Sequence, residues 1–535
     1  GAAALVLAFG ANVWFAASGM EVLPLAWLLL RAVRRAAEWC EEPARFRRGR
    51  RRELVALAWL LPLMRPEGVL GTLLVGSVLG LRPRAGSRLW GLLAVAGTFL
   101  PASINWLLTG QLSSTTLHAK WLPLNPYVTP ASLLAAFVDY VELLVTTLLN
   151  GEVWSALFLP LGSAPVALAC LIALPLAGLD RHLRPRATLL TLLALGILIP
   201  ASYDCPLCNR LRYLWPFFPA WMVGAAALAE RVARPFARRA IELEAEGPLS
   251  IGSFAGALAG YLPFAVEDIS ASTRAIYDQQ VWLASWARDS LPKSARIGVN
   301  DTGAISYYTG RQTFDIVGLT TLEEARYWTA GPGSRFEHYE RLGPRRLPTH
   351  FIVYPQWFAI SALLGTELAE RTIRGATILG GEHMGAYVAD YSRLGSGERP
   401  DATLARGRTV LDTLDVADLE SEAQHGYQLL DAEQRHNLVL DAGDKLDGAR
   451  QGRERDMFEL TLQPRGTLLL RVATETPQTL RVRLQARELR VAVPAATWHE
   501  TGIELPADLV PGRTSVTVLA SSGTFTSLHY FSLAP

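Results

Sequence analysis

Residues 203–219, YDCPLCNRLRYLWPFFP, separate two long apolar runs and place Asp204, Arg210 and Arg212 in one short turn. An arginine beside a membrane helix is costly unless its head reaches the interface or meets an anion. The turn therefore predicts a bundle of membrane helices around it and an anion beside it. If it faces outward, the anion available there is a lipid-linked phosphate. Cys205 and Cys208 share the turn, and an oxidising face would allow a short-loop disulfide between them. Cys40 falls in the Arg-rich loop, Cys170 reads as a small buried thiol within an apolar run, and a second cysteine pair for a four-thiolate metal site is missing.

The chain has 535 residues, half of them hydrophobic, which is too apolar for one soluble domain. Apolar runs fall near 2–17, 22–37, 54–64, 67–81, 89–108, 132–149, 153–178, 188–202, 213–229 and 248–266. Several approach the roughly 20 residues that cross a bilayer as a helix. The runs at 54–64 and 67–81 are shorter, and RPEG at 65–68 divides them, which predicts a hairpin of two short helices. The chain opens on Gly1 inside an apolar run with no basic segment before it. That reads as a fragment lacking its natural N-terminus rather than as a signal peptide.

Arginines set the orientation. Residues 31–53 carry nine of them, and 81–88, 180–186 and 230–239 are the other basic linkers. All four are expected on the cytoplasmic side. The turn 18–21, the loop 109–131, the turn 203–212 and everything after about 267 then face outward. Parity closes if 132–149, with Asp139 and Glu142, lies at the outer interface or re-enters. Nucleic acid is disfavoured, because the arginines lie between apolar segments and not along one polar face. Paired halves with matching interrupted helices are not evident, which counts against a transporter. The outward segments gather Glu21, His118, Lys120, Asp204, Arg210 and Arg212. Each alone reads as an interfacial charge in water; their shared face points to a site for a sugar phosphate.

Four short elements add to this. They are Ser18-Gly19-Met20-Glu21, the R-P-E-G of 65–68, SSTTLHAK at 113–120, and R-Y-x-x-P-x-x-P on Arg212, Tyr213, Pro216 and Pro219. In this order they resemble the GT-C class of integral-membrane glycosyltransferases, in particular bacterial mannosyl- and arabinofuranosyltransferases. SSTTLHAK keeps Thr116, Ala119 and Lys120 of that family's outer-loop element but lacks its Pro-Asn pair. Trp215 and Pro216 fall one place later than in the commonest spacing. RIGVNDTGAISYYTGRQTFDIVGLT (296–320) resembles the soluble segment that follows the last helix in such proteins, so the likeness spans most of 1–390.

The resemblance implies a polyprenyl-phosphate-linked sugar as donor and an envelope glycan or lipid as acceptor. It also implies inverting transfer at the outer face of the cell inner membrane, with the C-terminal domains periplasmic. Lys120, Arg210, Arg212 and Tyr213 are then expected at the donor phosphate. Glu21 would bind the acceptor or orient the base, with Asp204 the second carboxylate. The main base, an Asp of the family's first outer loop, is expected upstream of Gly1. Arg65 and Glu67 are expected to pair with each other as a structural element, since an unpaired charge there would be costly. No metal is assigned to the site, and a divalent-metal requirement is left open.

The expected architecture is a multi-pass α-helical bundle over 1–266, an α/β segment over 267–394, a linker at 395–408, and an all-β, sandwich-like domain over 409–535. QQVWLASWARDSL (279–291) has helical periodicity, and ARIGVN, TFDIVG and HFIVYP read as strands. Asp301 and Asp315 fall at strand ends, where turn chemistry accounts for them. MFELTLQ, GTLLLRVAT, TLRVRLQ, RELRVAV and TSVTVLASS alternate as sandwich strands do. The rival to an enzyme is a non-enzymatic membrane-anchored protein whose outer domains bind glycan or a partner.

Overall fold

Apolar sequence becomes helix through the first half of the chain, and alternating sequence becomes sheet through the second. The computed structural model describes residues 2–41, 47–81, 87–243, 251–429 and 437–535. Contacts divide it into a first unit, 1–114, 120–123 and 130–275, and a second, 115–119, 124–129 and 276–535. The basic-linker residues 42–46 and 82–86, and the start of the run at 248–266, lie outside the described residues, as do the side chains of 233–239.

In the first unit, Arg88–Thr109, Pro130–Leu157 and Arg184–Ser202 are long and apolar enough to cross a membrane. Gly10–Ser18 and Val22–Glu41 make a fourth candidate bent by 118°. Gly19 sits at that bend with φ +71°, a left-handed conformation that glycine adopts without steric cost. Residues 132–149, expected to skirt the interface or re-enter, fall within the helical stretch Pro130–Leu157, which has the length and composition to cross. Asp139 and Glu142 take up only one turn of its 28 residues.

The predicted break at RPEG is present. Helix Arg47–Met64 ends, Arg65 is extended at φ −161°, and Pro66–Gly68 makes a tight turn before Val69–Leu81. Pro66 favours the break because it restricts the residue before it to extended conformations. Gly68 is required by close approach: a Cβ there would lie 2.1 Å from the Leu61 carbonyl oxygen. Gly68→Ala is therefore expected to destabilise the unit by about 1–3 kcal/mol, read as a lower thermal midpoint in detergent. An unchanged midpoint would contradict this packing.

The second unit begins with a five-stranded mixed sheet. Its order is Gln312–Asp315, Arg296–Val299, His350–Val353, His383–Ala389, Leu364–Thr372. The first three strands are parallel and the last two antiparallel to their neighbours. Asp315 is buried, and its carboxylate accepts from the amides of Val317, Gly318 and Thr320 at 2.8–3.3 Å, which is turn chemistry.

Two further sheets form the sandwich. One has the order Ala496–Glu504, Thr467–Thr474, Phe525–Ala534, Leu446–Arg453, Asn437–Asp441, with Thr409–Asp415 also paired to Phe525–Ala534. The other runs Arg487–Val493, Gln478–Leu484, Gly512–Ala520, Arg455–Leu462. Leu468, Leu470 and Val472 face Phe458, Leu460, Val482 and Val516 in the core between them. The α/β segment and the sandwich fall in the same unit. Asn437 joins them: its side-chain oxygen accepts from the Gly333 amide at 2.8 Å, and its nitrogen donates to the Ala330 carbonyl at 2.8 Å. Residues 395–408 form turns without helix or strand.

Candidate functional site

The turn at 203–213 is built from backbone strain held by three ties. Asn209, Arg210 and Leu211 have φ of 52°, 56° and 62° in succession, a left-handed run without a glycine. Such conformations cost about 1–2 kcal/mol per residue, so neighbouring contacts must hold them. Cys205 and Cys208 are joined in a disulfide. The Asp204 amide donates to the Lys120 carbonyl at 2.9 Å, and Trp121 forms a bridge with Tyr203, which ties Lys120 and Trp121 to the turn. The third tie is Arg210. Its Nε and Nη2 each donate to the Asp268 carboxylate at 2.8 Å, its guanidinium lies 4.7 Å from the centre of the Trp154 ring, and its carbonyl accepts from Trp215 Nε1 at 2.7 Å.

The structure places Arg210, expected at the donor phosphate, against Asp268. Asp268 fills its fork and the side chain is buried, so its charge is met within the protein and it shapes the turn. Asp268 also accepts from Trp14 Nε1 at 2.9 Å. The sequence holds little signal for this partner, because Asp268 lies 58 positions from Arg210 and beyond the last apolar run.

The remaining residues form two connected groups. Arg65 is buried and donates to both oxygens of buried Glu67, at 3.0 and 3.1 Å, and to Glu21 Oε1 at 2.5 Å. Glu21 keeps 38% of its side chain exposed, so Arg65 links an interior carboxylate to an accessible one. Tyr213 connects this group to Arg212. Its ring lies under both guanidiniums, 4.6 Å from that of Arg65 and 4.9 Å from that of Arg212, and Tyr203 packs edge-on at 5.0 Å. Arg212 Nη2 donates to the Tyr213 hydroxyl at 2.9 Å, while Arg212 Nε is buried with no acceptor. The charges of Arg212, Lys120 and Arg65 all act on the Tyr213 phenol. Lys120 thus contributes to the same positive field.

The structure therefore brings together Glu21, Arg65, Glu67, Lys120, Arg212 and Tyr213. Asp204 is exposed, and among the described residues its amide donates to the Lys120 carbonyl. Thr115 and Thr116 belong to the second unit, where both hydroxyls donate to the Leu319 carbonyl at 2.6 and 3.2 Å. Sequence reasoning missed Asp268, Trp14, Trp154 and Tyr203. The motif carrying Arg65 and Glu67 was visible, but the link of that pair to Glu21 was not. Chemically, the group offers cations and a phenol beside a partly exposed carboxylate. That arrangement suits an anion beside a neutral hydroxyl compound.

Comparisons with known proteins add the following. A family described as a domain of unknown function, DUF8728, matches residues 272–411. No curated protein matches the chain. Among solved structures, arabinofuranosyltransferase AftD from Mycobacteria is similar at 13% identity and a TM-score of 0.24, over 97% of this chain and 54% of that one. This chain thus spans about half the length of AftD. CsCBM6-3 from Clostridium stercorarium, solved in complex with cellobiose, is similar at 14% identity and a TM-score of 0.17, over 22% of this chain and 91% of that one. Likenesses at these scores carry no argument for the function.

Proposed function

We propose that this chain belongs to a membrane glycosyltransferase that uses a polyprenyl-phosphate-linked sugar and delivers it to an envelope glycan or lipid on the outer face. The observation that carries the reading is Arg212, whose buried Nε lacks an acceptor while its Nη2 holds the Tyr213 hydroxyl. A buried donor without a partner costs about 1–3 kcal/mol, and an incoming phosphate oxygen would satisfy it. Lys120 adds charge at the same place.

The reaction follows from these roles. The acceptor hydroxyl loses its proton to a base and attacks the anomeric carbon. The bond from that carbon to the phosphate oxygen breaks, and polyprenyl phosphate leaves with the bonding pair. Negative charge grows on the leaving phosphate as the bond breaks, so Arg212 and Lys120 stabilise the transition state more than the bound donor. Glu21, with Oε1 on Arg65, has its second oxygen to accept from the acceptor hydroxyl and orient it. Glu67 keeps Arg65 in place. An apolar cavity of about 260 Å³, lined by Leu5, Leu159, Val166, Cys170, Trp221 and Met222, suits part of a hydrocarbon chain.

Binding of labelled polyprenyl phosphate to the detergent-purified protein tests this reading. Saturable binding that inorganic phosphate displaces only weakly is the expected result. Absence of binding by the correctly folded protein would contradict it and favour a membrane-anchored binding protein.

A further inference from the structure

The second unit holds a buried acidic cluster unrelated to the turn. Helix Pro332–Arg341 supplies Glu337 and Glu340, strand Thr409–Asp415 supplies Asp415, and Asp418 and Glu398 come from flanking turns. Three overlapping triads arise: Glu337 with Asp415 and Asp418, Glu337 with Glu340 and Glu398, and Glu398 with Asp415 and His529. Within each triad, one ligand atom per residue lies within 4.8 Å of the others. Two oxygens sharing a calcium ion at about 2.4 Å lie no more than about 4.8 Å apart, so the spacing meets the geometric limit.

Hydrogen bonding leaves this cluster short of donors. Glu337 is 1% exposed; its Oε1 accepts from the Gly448 amide at 2.5 Å, and its buried Oε2 has no donor. Asp415 is 6% exposed; its Oδ1 meets no nitrogen or hydroxyl donor, the Glu337 carboxyl lies within hydrogen-bonding reach of it, and His529 Nε2 stands at 3.5 Å. Asp418 caps helix Leu419–Gln424 through the amides of Glu420 and Ser421, and its other oxygen accepts from Arg341. His529 Nδ1 lies 2.9 Å from Asp447, and Arg471 is held by Asp447 and Glu500. Among the described residues, Arg341 and His529 are thus the cationic side chains set directly against five carboxylates. Burial, reinforced by Asp415, pushes Glu337 well above the ordinary carboxylate range. Burial likewise lifts Asp415 to about 8, with Asp447 adding to it and His529 opposing. Either protons or a cation must balance these groups.

We propose that Glu337, Asp415 and Asp418, with Glu340 and Glu398 beside them, bind one hard divalent cation of the calcium type. Glu337 and Asp415, each with a buried oxygen that no nitrogen or hydroxyl donor meets, belong to the same triad. An all-oxygen set without cysteine selects calcium over zinc or copper. Exposed Glu398 gives the ion a path from solvent. The ligands come from the helix of the α/β segment and from the sandwich, so the ion joins these two parts of the second unit. The site does not depend on the proposed transfer reaction.

Equilibrium dialysis of the chelator-treated full chain in detergent against radioactive calcium tests the proposal. One calcium per chain is expected, with a rise in the thermal midpoint. Glu337→Gln keeps the oxygen that accepts from Gly448 and is expected to weaken binding about tenfold or more by removing ligand charge. Glu370→Gln alters the exposed Glu367, Glu370 and His383 group and is expected to leave binding unchanged. No bound calcium in the wild-type chain would overturn the proposal. Binding lost in Glu370→Gln but kept in Glu337→Gln, or zinc retained in preference to calcium, would overturn it equally.

Discussion

Arg212→Ala is expected to reduce sugar transfer by about 10²–10³-fold, the usual cost of removing one donor from a site where negative charge develops. The loss should fall on kcat more than on KM, because the phosphate gains its extra charge only as the glycosidic bond breaks. The folded protein should survive. Arg212 is half-buried, its Nε already lacks an acceptor, and removing it leaves Tyr213 stacked under Arg65 at 4.6 Å. Arg212→Lys should recover part of the activity, because a point charge replaces the guanidinium but cannot serve the hydroxyl and the phosphate together. An alanine variant with wild-type kcat would remove Arg212 from the chemistry.

Asp268→Ala is expected to destabilise the first unit by about 3–5 kcal/mol, the cost of removing one partner from a buried ion pair. Three consequences combine. Arg210, 4% exposed, would lose the acceptor of both its bonds to Asp268. Trp14 Nε1 would lose its acceptor. The left-handed run at Asn209, Arg210 and Leu211 would lose a tie that holds it. The check is the unfolding midpoint in detergent. Asp268→Leu combined with Arg210→Met should recover most of the stability, because an apolar pair carries no uncompensated charge. A midpoint equal to wild type in Asp268→Ala would show that the turn does not depend on this pair.

Much of the architecture is legible because it rests on local periodicity. The break at RPEG follows from Pro66 and Gly68, and the helix near 279–291 from apolar spacing. Strands such as Arg455–Leu462 show their alternation directly, one face toward the core and the other toward solvent. Phe525–Ala534 gives no such pattern, since nearly every residue in it is buried on both faces. The helical stretch Pro130–Leu157 has the length and composition to cross, and its two acids mark an interface in sequence without deciding whether it does.

Charged residues were readable as a set, but their pairings were not. Arg210 and Arg212 stand two places apart and look equivalent in sequence. Only the third dimension shows that Asp268 fills the fork of one while the other keeps a buried donor without an acceptor. The same holds for Glu337 and Asp415, which look like ordinary surface acids until their two chain segments meet.

The most direct test of the central claim is transfer of labelled sugar from a panel of polyprenyl-phosphate-linked donors, using membranes that carry the full gene product. Wild type should transfer at least one sugar to an envelope glycan or lipid acceptor, and Arg212→Ala, inserted to the same level, should not. Correctly inserted wild-type protein that transfers none of the donors, or an Arg212→Ala variant as active as wild type, would contradict the account.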